Sequence, residues 1–300
     1  MAQWIDLIDP TPEELRAKLP VEIQESALQR LLSPPGDDQP RPTLQSHGDY
    51  IFGVFLVALA MPEEDRVVYQ EVDVVLTYDV LLTVSKTPKG EEPYDPRRVR
   101  ESCQPDDETG MMLYRLVDDI AEHYLILVDA LDDEISELED QVESTPAETT
   151  RTRLSELRHD LLRIARTLAP TRDAVHRVVD NAVELQGRRE VFPHDVEIAF
   201  ESAYEKLLRA VDGLALSRDL LAGVRDYLQA KIANDQNDVI KKLTVTASLL
   251  LFPTFIVGVY GQNFDHMPEL HWYLGYLYSW LVIAAVTVGQ LVFFRWKRWI

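Results

Sequence analysis

The sequence predicts an α+β membrane protein: an N-terminal cytoplasmic α/β domain, then long stalk helices, then two C-terminal transmembrane helices. Three observations carry the prediction. Residues 243–264 and 271–294 contain no Asp, Glu, Lys or Arg, and each run has the length, roughly 20 apolar residues, that crosses a bilayer. From Met111 onward, apolar residues recur every three or four positions, the period of one helix face. Before that point, short stretches rich in β-branched and aromatic residues have the composition of strands.

The elements follow in order. Thr11-Pro12-Glu13-Glu14 reads as a helix start, with Thr11 as cap, proline at the first position and acids in the first turn. Ser33-Pro34-Pro35-Gly36-Asp37-Asp38 is a loop by composition. Residues 50–59, 67–77 and 80–84 read as strands with a turn at Asp79, and 87–105 as loop with one short helix. Leu113, Leu116, Ile120, Tyr124, Leu127 and Leu131 begin the stripe of a long helix, which Thr145-Pro146 interrupts. A second helix starts at Leu154, Leu157 and Leu161, with a kink expected at Pro170. Val196, Phe200, Tyr204, Leu207 and Val211 open a third. No proline lies between Pro193 and Pro253, so this helix is expected to run unbroken into the first apolar run, on the order of 100 Å at 1.5 Å per residue. The organisation expected is an α/β domain over 1–110, antiparallel long helices over 111–192 and a stalk helix over 193–242. A first transmembrane helix over 243–261, an outer loop over 262–272, a second transmembrane helix over 273–294 and a basic tail over 295–300 complete the chain.

Charge sets orientation and excludes partners. Lys241 and Lys242 precede the first apolar run, Arg295, Lys297 and Arg298 follow the second, and the intervening loop holds Asp265 and Glu269 with no Lys or Arg. Basic flanks remain cytoplasmic, so an inner (plasma) membrane, multi-pass protein with both termini inside is expected. Trp272, Tyr273, Tyr276, Trp280, Trp296 and Trp299 suit interfacial anchors. The first residues carry no basic, apolar signal segment, and the single Cys103 fits a reducing compartment. Residues 241–300 hold five Lys or Arg and two Asp or Glu, so the net charge of −21 divides into +3 there and −24 over the first 240 residues. Such a domain repels nucleic acid and concentrates cations.

Between the two apolar runs stand Tyr260-Gly261-Gln262-Asn263-Phe264, and then Met267-Pro268-Glu269-Leu270. The segment offers a small residue and an amide carbonyl at the outer end of a hydrophobic helix. Two spans cannot enclose a water-filled path, so a channel would have to be a ring of copies, and one Asn263 per copy would then make a circle of amides. A small divalent cation gives up water reluctantly. The Asn263 side chain and the Gly261 carbonyl could instead accept hydrogen bonds from its bound waters, with Gly261 letting the chain turn. Alone, Gly-x-Asn reads as an ordinary helix stop, since both residues favour left-handed φ; Tyr260, Phe264, the Met267–Leu270 sequel, the paired spans and the acidic soluble domain together reverse that reading. Asp265 and Glu269, repeated around a ring, would make a negative outer mouth or serve only as solvated loop acids.

This signature resembles that of the CorA family of divalent-cation channels, Y-G-M-N-F followed by M-P-E-L, with Gln262 replacing the middle methionine. Leu127-Val128-Asp129-Ala130-Leu131-Asp132-Asp133-Glu134-Ile135 is similar to the family's acidic long helix. The resemblance implies a funnel-shaped homopentamer that passes Mg²⁺, and also Co²⁺ and Ni²⁺, with the first span lining the pore and the second facing lipid. It places Asn237, Ile240, Thr254 and Gly258 at pore-facing positions. Asn237 would be a polar ring, and Ile240 and Leu243 an apolar constriction gating by dewetting or ordinary interhelical packing. It also implies that cytoplasmic Mg²⁺ is sensed between neighbouring copies. Asp95 resembles one partner acid; Ser202 stands where the family has Asp on the stalk, with Glu201 and Glu205 beside it and Asp219 and Asp226 further along. No resident cofactor is expected, and Mg²⁺ is both cargo and regulatory ion.

Other chemistry is excluded by pattern. The seven histidines show no zinc-ligand spacing with each other or with Cys103, and neither a phosphate-binding glycine loop nor a nucleophile elbow occurs. No enzymatic activity is expected. The remaining readings are a zinc or other transition-metal transporter of the same fold, to which Gln262 opens the way, and a membrane-anchored acidic scaffold without transport activity.

Overall fold

The computed structural model describes residues 2–35, 40–61, 66–187, 189–262 and 267–300. The chain begins with strand β1 (Gln3–Ile8) and helices α1 (Pro12–Lys18) and α2 (Glu25–Leu32). Strands β2 (Thr43–Ser46), β3 (Ile51–Met61), β4 (Arg66–Leu76) and β5 (Val80–Lys86) follow, then the short α3 (Arg97–Glu101). Three long helices come next: α4 (Thr109–Gln141), α5 (Ala147–Val179) and α6 (His194–Tyr260). A single turn of 3₁₀ helix over Pro268–His271 and helix α7 (Gly275–Trp296) close the chain. By internal contacts it divides into two units, Met1–Arg225 and Asp226–Ile300.

Local chemistry explains the first helix. Thr11 Oγ1 accepts from the Glu14 backbone N–H, and the Glu14 carboxylate accepts from the Thr11 N–H at 3.0 Å, a complete capping box with proline in the first turn. The strands form one mixed sheet in the order β1-β5-β4-β3-β2. β1 runs parallel to β5, and the other pairs are antiparallel. β4 is buried at every position after Arg66, which requires cover on both faces. Leu15 of α1 and Leu28 and Leu31 of α2 pack with Tyr50, Val75, Leu82 and Val84. Helix α4 packs along β3 and α5 against β2.

The α+β class and the two C-terminal apolar helices agree with the sequence. Two strands escaped it. β1 and β2 are edge strands of six and four residues, too short to announce themselves, and β1 finds its partner β5 across more than 70 residues of chain. Pro170 lies inside α5 and Pro253 inside α6.

One feature of the sheet is costly and specific. Lys86 is 2% exposed, Glu71 5% and Asp73 0%. The Lys86 ammonium lies 2.5 Å from Glu71 Oε1 and 2.8 Å from Asp73 Oδ2, and it donates to the Arg30 carbonyl at the end of α2 at 2.9 Å. Arg30 reaches the same Glu71 oxygen at 2.6 Å. The cluster pins α2 to the centre of the sheet.

Candidate ion-conduction site

Within Asp226–Ile300, two helices are long and apolar enough to cross a membrane, and in each the apolar window is only 6% buried. A core helix of a soluble protein would be covered; these present their apolar side chains outward. Leu250, Leu251, Phe255 and Val257 of α6 and Leu277, Leu281, Val288 and Val292 of α7 are all exposed in the single chain. A surface of this size and character needs lipid or further copies of the chain to cover it.

The candidate pore positions share one side of α6. At about 100° per residue, Asn237, Ile240, Leu243, Thr254, Gly258 and Gly261 fall within an arc of roughly 120°. All six are exposed, and around Gly258 there is open space where a Cβ would stand. The Thr254 hydroxyl donates to the Leu250 carbonyl at 2.7 Å, so its oxygen keeps acceptor capacity toward that side. Lys241 is paired with Asp238 at 2.9 Å just before the apolar stretch.

At the C-terminal end of α6 Tyr260 is half-buried, and Gly261 and Gln262 are exposed. Gly261 N–H still donates to Val257 O at 2.9 Å, and Gln262 N–H to Val259 O at 3.3 Å, so the last turn tightens as the helix ends. Gly261 is not among the glycines with positive φ, which among the described residues are Gly48 and Gly90. Its value lies in space: a Cβ there would stand 3.3 Å from Val257 O. Asn263, Phe264 and Asp265 lie outside the described residues. Glu269 sits half-buried in the 3₁₀ turn, and a Cβ on Gly275 would come within 2.3 Å of its backbone carbonyl. The turn that carries the Met-Pro-Glu-Leu sequel is therefore seated on the first residue of α7.

Sequence reasoning missed Gln290. Its side-chain N–H₂ donates to the Ser248 carbonyl of α6 at 3.2 Å, tying the two apolar helices together. A lone amide in an otherwise apolar span was the available signal.

The acid candidates, Asp95 and those of α6, lie apart from one another in character. Tyr94 is buried and donates to Asp119 of α4 at 2.7 Å, which leaves the adjacent Asp95 at the surface. Asp95 stands two residues before the start of α3, accepting from the Arg97 backbone at 3.0 Å and from its guanidinium at 2.6 Å. Those hydrogen bonds hold the Asp95 carboxyl below its ordinary range. Glu201, Ser202, Glu205, Asp219 and Asp226 are exposed along α6. Lys206 is fixed between Asp118 at 2.9 Å and Glu122 at 3.1 Å of α4. Among the described residues, no three or more His, Cys, Asp or Glu side chains of the single chain come together to hold a metal.

Comparison with known proteins bears on this arrangement. A cobalt/magnesium transport protein CorA from Thermotoga maritima is 28% identical over 267 residues, covering 87% of this chain and 73% of the relative. The protein of the same description from Methanocaldococcus jannaschii is 26% identical over 308 residues, covering 99% of this chain and 91% of the relative. The complete structure of the CorA magnesium transporter from M. jannaschii superposes with a TM-score of 0.79 at 20% identity, over 99% of this chain and 91% of that one. The family described as CorA-like Mg²⁺ transporter protein matches residues 2–298, and the chain belongs to that family.

Proposed function

We propose that the chain assembles into a membrane channel for passive uptake of hydrated Mg²⁺, with Co²⁺ and Ni²⁺ as further cargo. The observation that carries this reading is the segment Tyr260-Gly261-Gln262-Asn263-Phe264 with Met267-Pro268-Glu269-Leu270, placed between two outward-facing apolar helices in a chain of this family. The relatives from T. maritima and M. jannaschii are named as cobalt/magnesium transport proteins. A ring of copies, a pentamer by the resemblance, brings one Asn263 from each to a common axis, where carboxamide oxygens take hydrogen bonds from the ion's water shell. Keeping that shell avoids the large cost of stripping Mg²⁺. Asn237, Ile240, Leu243, Thr254 and Gly258 line the path, and Asp265 and Glu269 raise the cation concentration at its mouth. With both termini cytoplasmic, an inside-negative potential drives entry by about 4.6 kcal/mol per 100 mV for a divalent ion. Cytoplasmic Mg²⁺ closes the ring by screening acids that face one another between neighbouring copies, Asp95 on one and the Glu201–Glu205 stretch on the next.

The test is Mg²⁺ influx into liposomes containing the purified full-length chain. Wild type carries flux under an inside-negative potential, and Asn263→Ala abolishes it while assembly survives. Normal flux in Asn263→Ala overturns the filter assignment, and a wild type without flux favours the acidic scaffold. Gln262 gives a zinc transporter of the same fold its one supporting observation, and competition of Zn²⁺ against Mg²⁺ in the same liposomes separates the two.

A further inference from the structure

We propose that Gln290 is a positioning residue whose side-chain amide clamps α7 to the backbone of α6 at Ser248 and thereby sets the rotation of the pore-lining face. This rests on the pore assignment above. Three observations carry it. The contact is a side chain of one apolar helix bonded to a main-chain carbonyl of the other, Gln290 Nε2 to Ser248 O at 3.2 Å. A carbonyl can only accept, so the amide orientation is fixed by chemistry. The remaining Gln290 Oε1 is buried and has no hydrogen-bond partner. An apolar residue of the same size would avoid that unmet acceptor, so burying an amide here is justified by the directional bond it makes.

The place of the bond on α6 is equally specific. Ser248 lies five residues before Pro253. Pro253 has no N–H for the carbonyl four residues before it, Leu249, and its ring crowds that turn. The clamp therefore grips the helix beside its weakest hydrogen bonding. Around the helix, Ser248 lies roughly 100° and Val245 roughly 160° from the centre of the arc holding Ile240, Thr254 and Gly258. Val245 is 5% exposed and Phe294 6%, one on each helix, three residues before Ser248 and four after Gln290. A seat on this flank lets α7 hold α6 against rotation while leaving the pore side free. Without it, a slip of one residue would turn Thr254 away and bring Phe255 toward the axis.

The experiment uses the full-length chain in liposomes, with Cys103 replaced by Ala. Cysteines are introduced singly at positions 244, 245 and 246 of α6, each paired with one at 294 of α7, and disulfide formation is scored on denaturing gels. With Gln290 present, the yield peaks at 245. Gln290→Met keeps the shape and removes the donor, and it flattens the peak across the three positions. Gln290→Asn keeps a donor and retains a peak. In the Gln290→Met chain without added cysteines, Mg²⁺ influx falls about fivefold, the factor that one neutral hydrogen bond supports. An unchanged peak in Gln290→Met, or identical behaviour of Met and Asn variants, overturns the clamp. The crosslinking pattern needs no transport, so a wild type without flux refutes the channel reading and still leaves the clamp decided.

Discussion

Glu71 on β4 and Lys86 on β5 are register partners, and their carboxylate and ammonium meet at 2.5 Å in the interior of the sheet. Neither reaches solvent, and Lys86 also serves Asp73 and the last turn of α2. Taking such charges out of water costs several kcal/mol each, which the ion pairs of Lys86 with Glu71 and Asp73 offset in part. Removing the shared cation leaves two buried carboxylates with only Arg30 nearby. Lys86→Met is therefore expected to destabilise the N-terminal unit by about 3–5 kcal/mol. Hydrogen exchange of β4 and β5 amides in the detergent-solubilised chain measures this, and exchange rates close to wild type would refute it.

Asp73 gives the cluster a pH signature. Burial pushes its carboxyl up to about 7, against the attraction of Lys86, because one ammonium shared with Glu71 cannot neutralise both acids. A folded-state value above the unfolded value of about 4 means that the folded state holds the proton more tightly. The stability contributed by this group is thus full below about pH 4, is lost as pH rises toward 7, and is flat beyond. Asp73→Asn keeps the size and removes the titration. The difference in stability between wild type and Asp73→Asn should change between pH 5 and pH 8 in the direction that disfavours wild type at pH 8. A difference independent of pH over that range would place the proton elsewhere in the cluster.

Much of this architecture was legible because it is written in local chemistry. The Thr11 box, the three central strands and the stripe from Leu113 onward announce themselves within a few residues. What stayed hidden depends on partners distant in sequence. Glu71 and Lys86 look like stray charges in apolar strands until the hairpin register sets them opposite each other. Gln290 and Ser248 are 42 residues apart, and nothing near either one encodes the relative rotation of two apolar helices. The Tyr260–Phe264 motif could be read because Tyr260, Phe264 and the Met267–Leu270 sequel accompany it between two apolar runs; its Gly-x-Asn alone is an ordinary helix stop. The acids of the stalk could not be ranked in the same way. Glu201, Glu205, Asp219 and Asp226 are carboxylates among 51, and all four are exposed, so burial does not single one out.

Gly275 offers a way to disturb the proposed mouth without touching the proposed filter. A Cβ at this position would stand 2.3 Å from the Glu269 carbonyl, and backbone cannot yield as a flexible side chain does. Gly275→Ala must push the Pro268–His271 turn off the start of α7. On the channel reading, this moves the Glu269 ring and lowers Mg²⁺ influx, with the larger loss at low external Mg²⁺, where local attraction of cations matters most. Gly289→Ala is the control, since nothing lies within 4 Å of a Cβ there. Equal flux in both variants would show that the seat of the turn does not shape the mouth.

On the feedback reading proposed above, Ser202 is the stalk position that sets how strongly a ring of copies would answer cytoplasmic Mg²⁺. It is exposed on α6 between Glu201 and Ala203, four residues before the Lys206 anchor to Asp118 and Glu122, so the backbone at this point is held in place. The hydroxyl carries no charge for a divalent ion to neutralise, whereas Glu201 and Glu205 on the same helix do. If Mg²⁺ closes the ring by screening acids between copies, one further carboxylate per copy at 202 deepens the repulsion in its absence and the gain in its presence. Ser202→Asp should then require less Mg²⁺ for half-maximal protection of the assembled protein against protease, while protection in chelator falls. The measurement is a protease time course across a Mg²⁺ series for wild type and Ser202→Asp side by side. Wild-type protection identical in Mg²⁺ and chelator, together with a Ser202→Asp series that Mg²⁺ also leaves flat, would remove feedback through this stretch of the stalk.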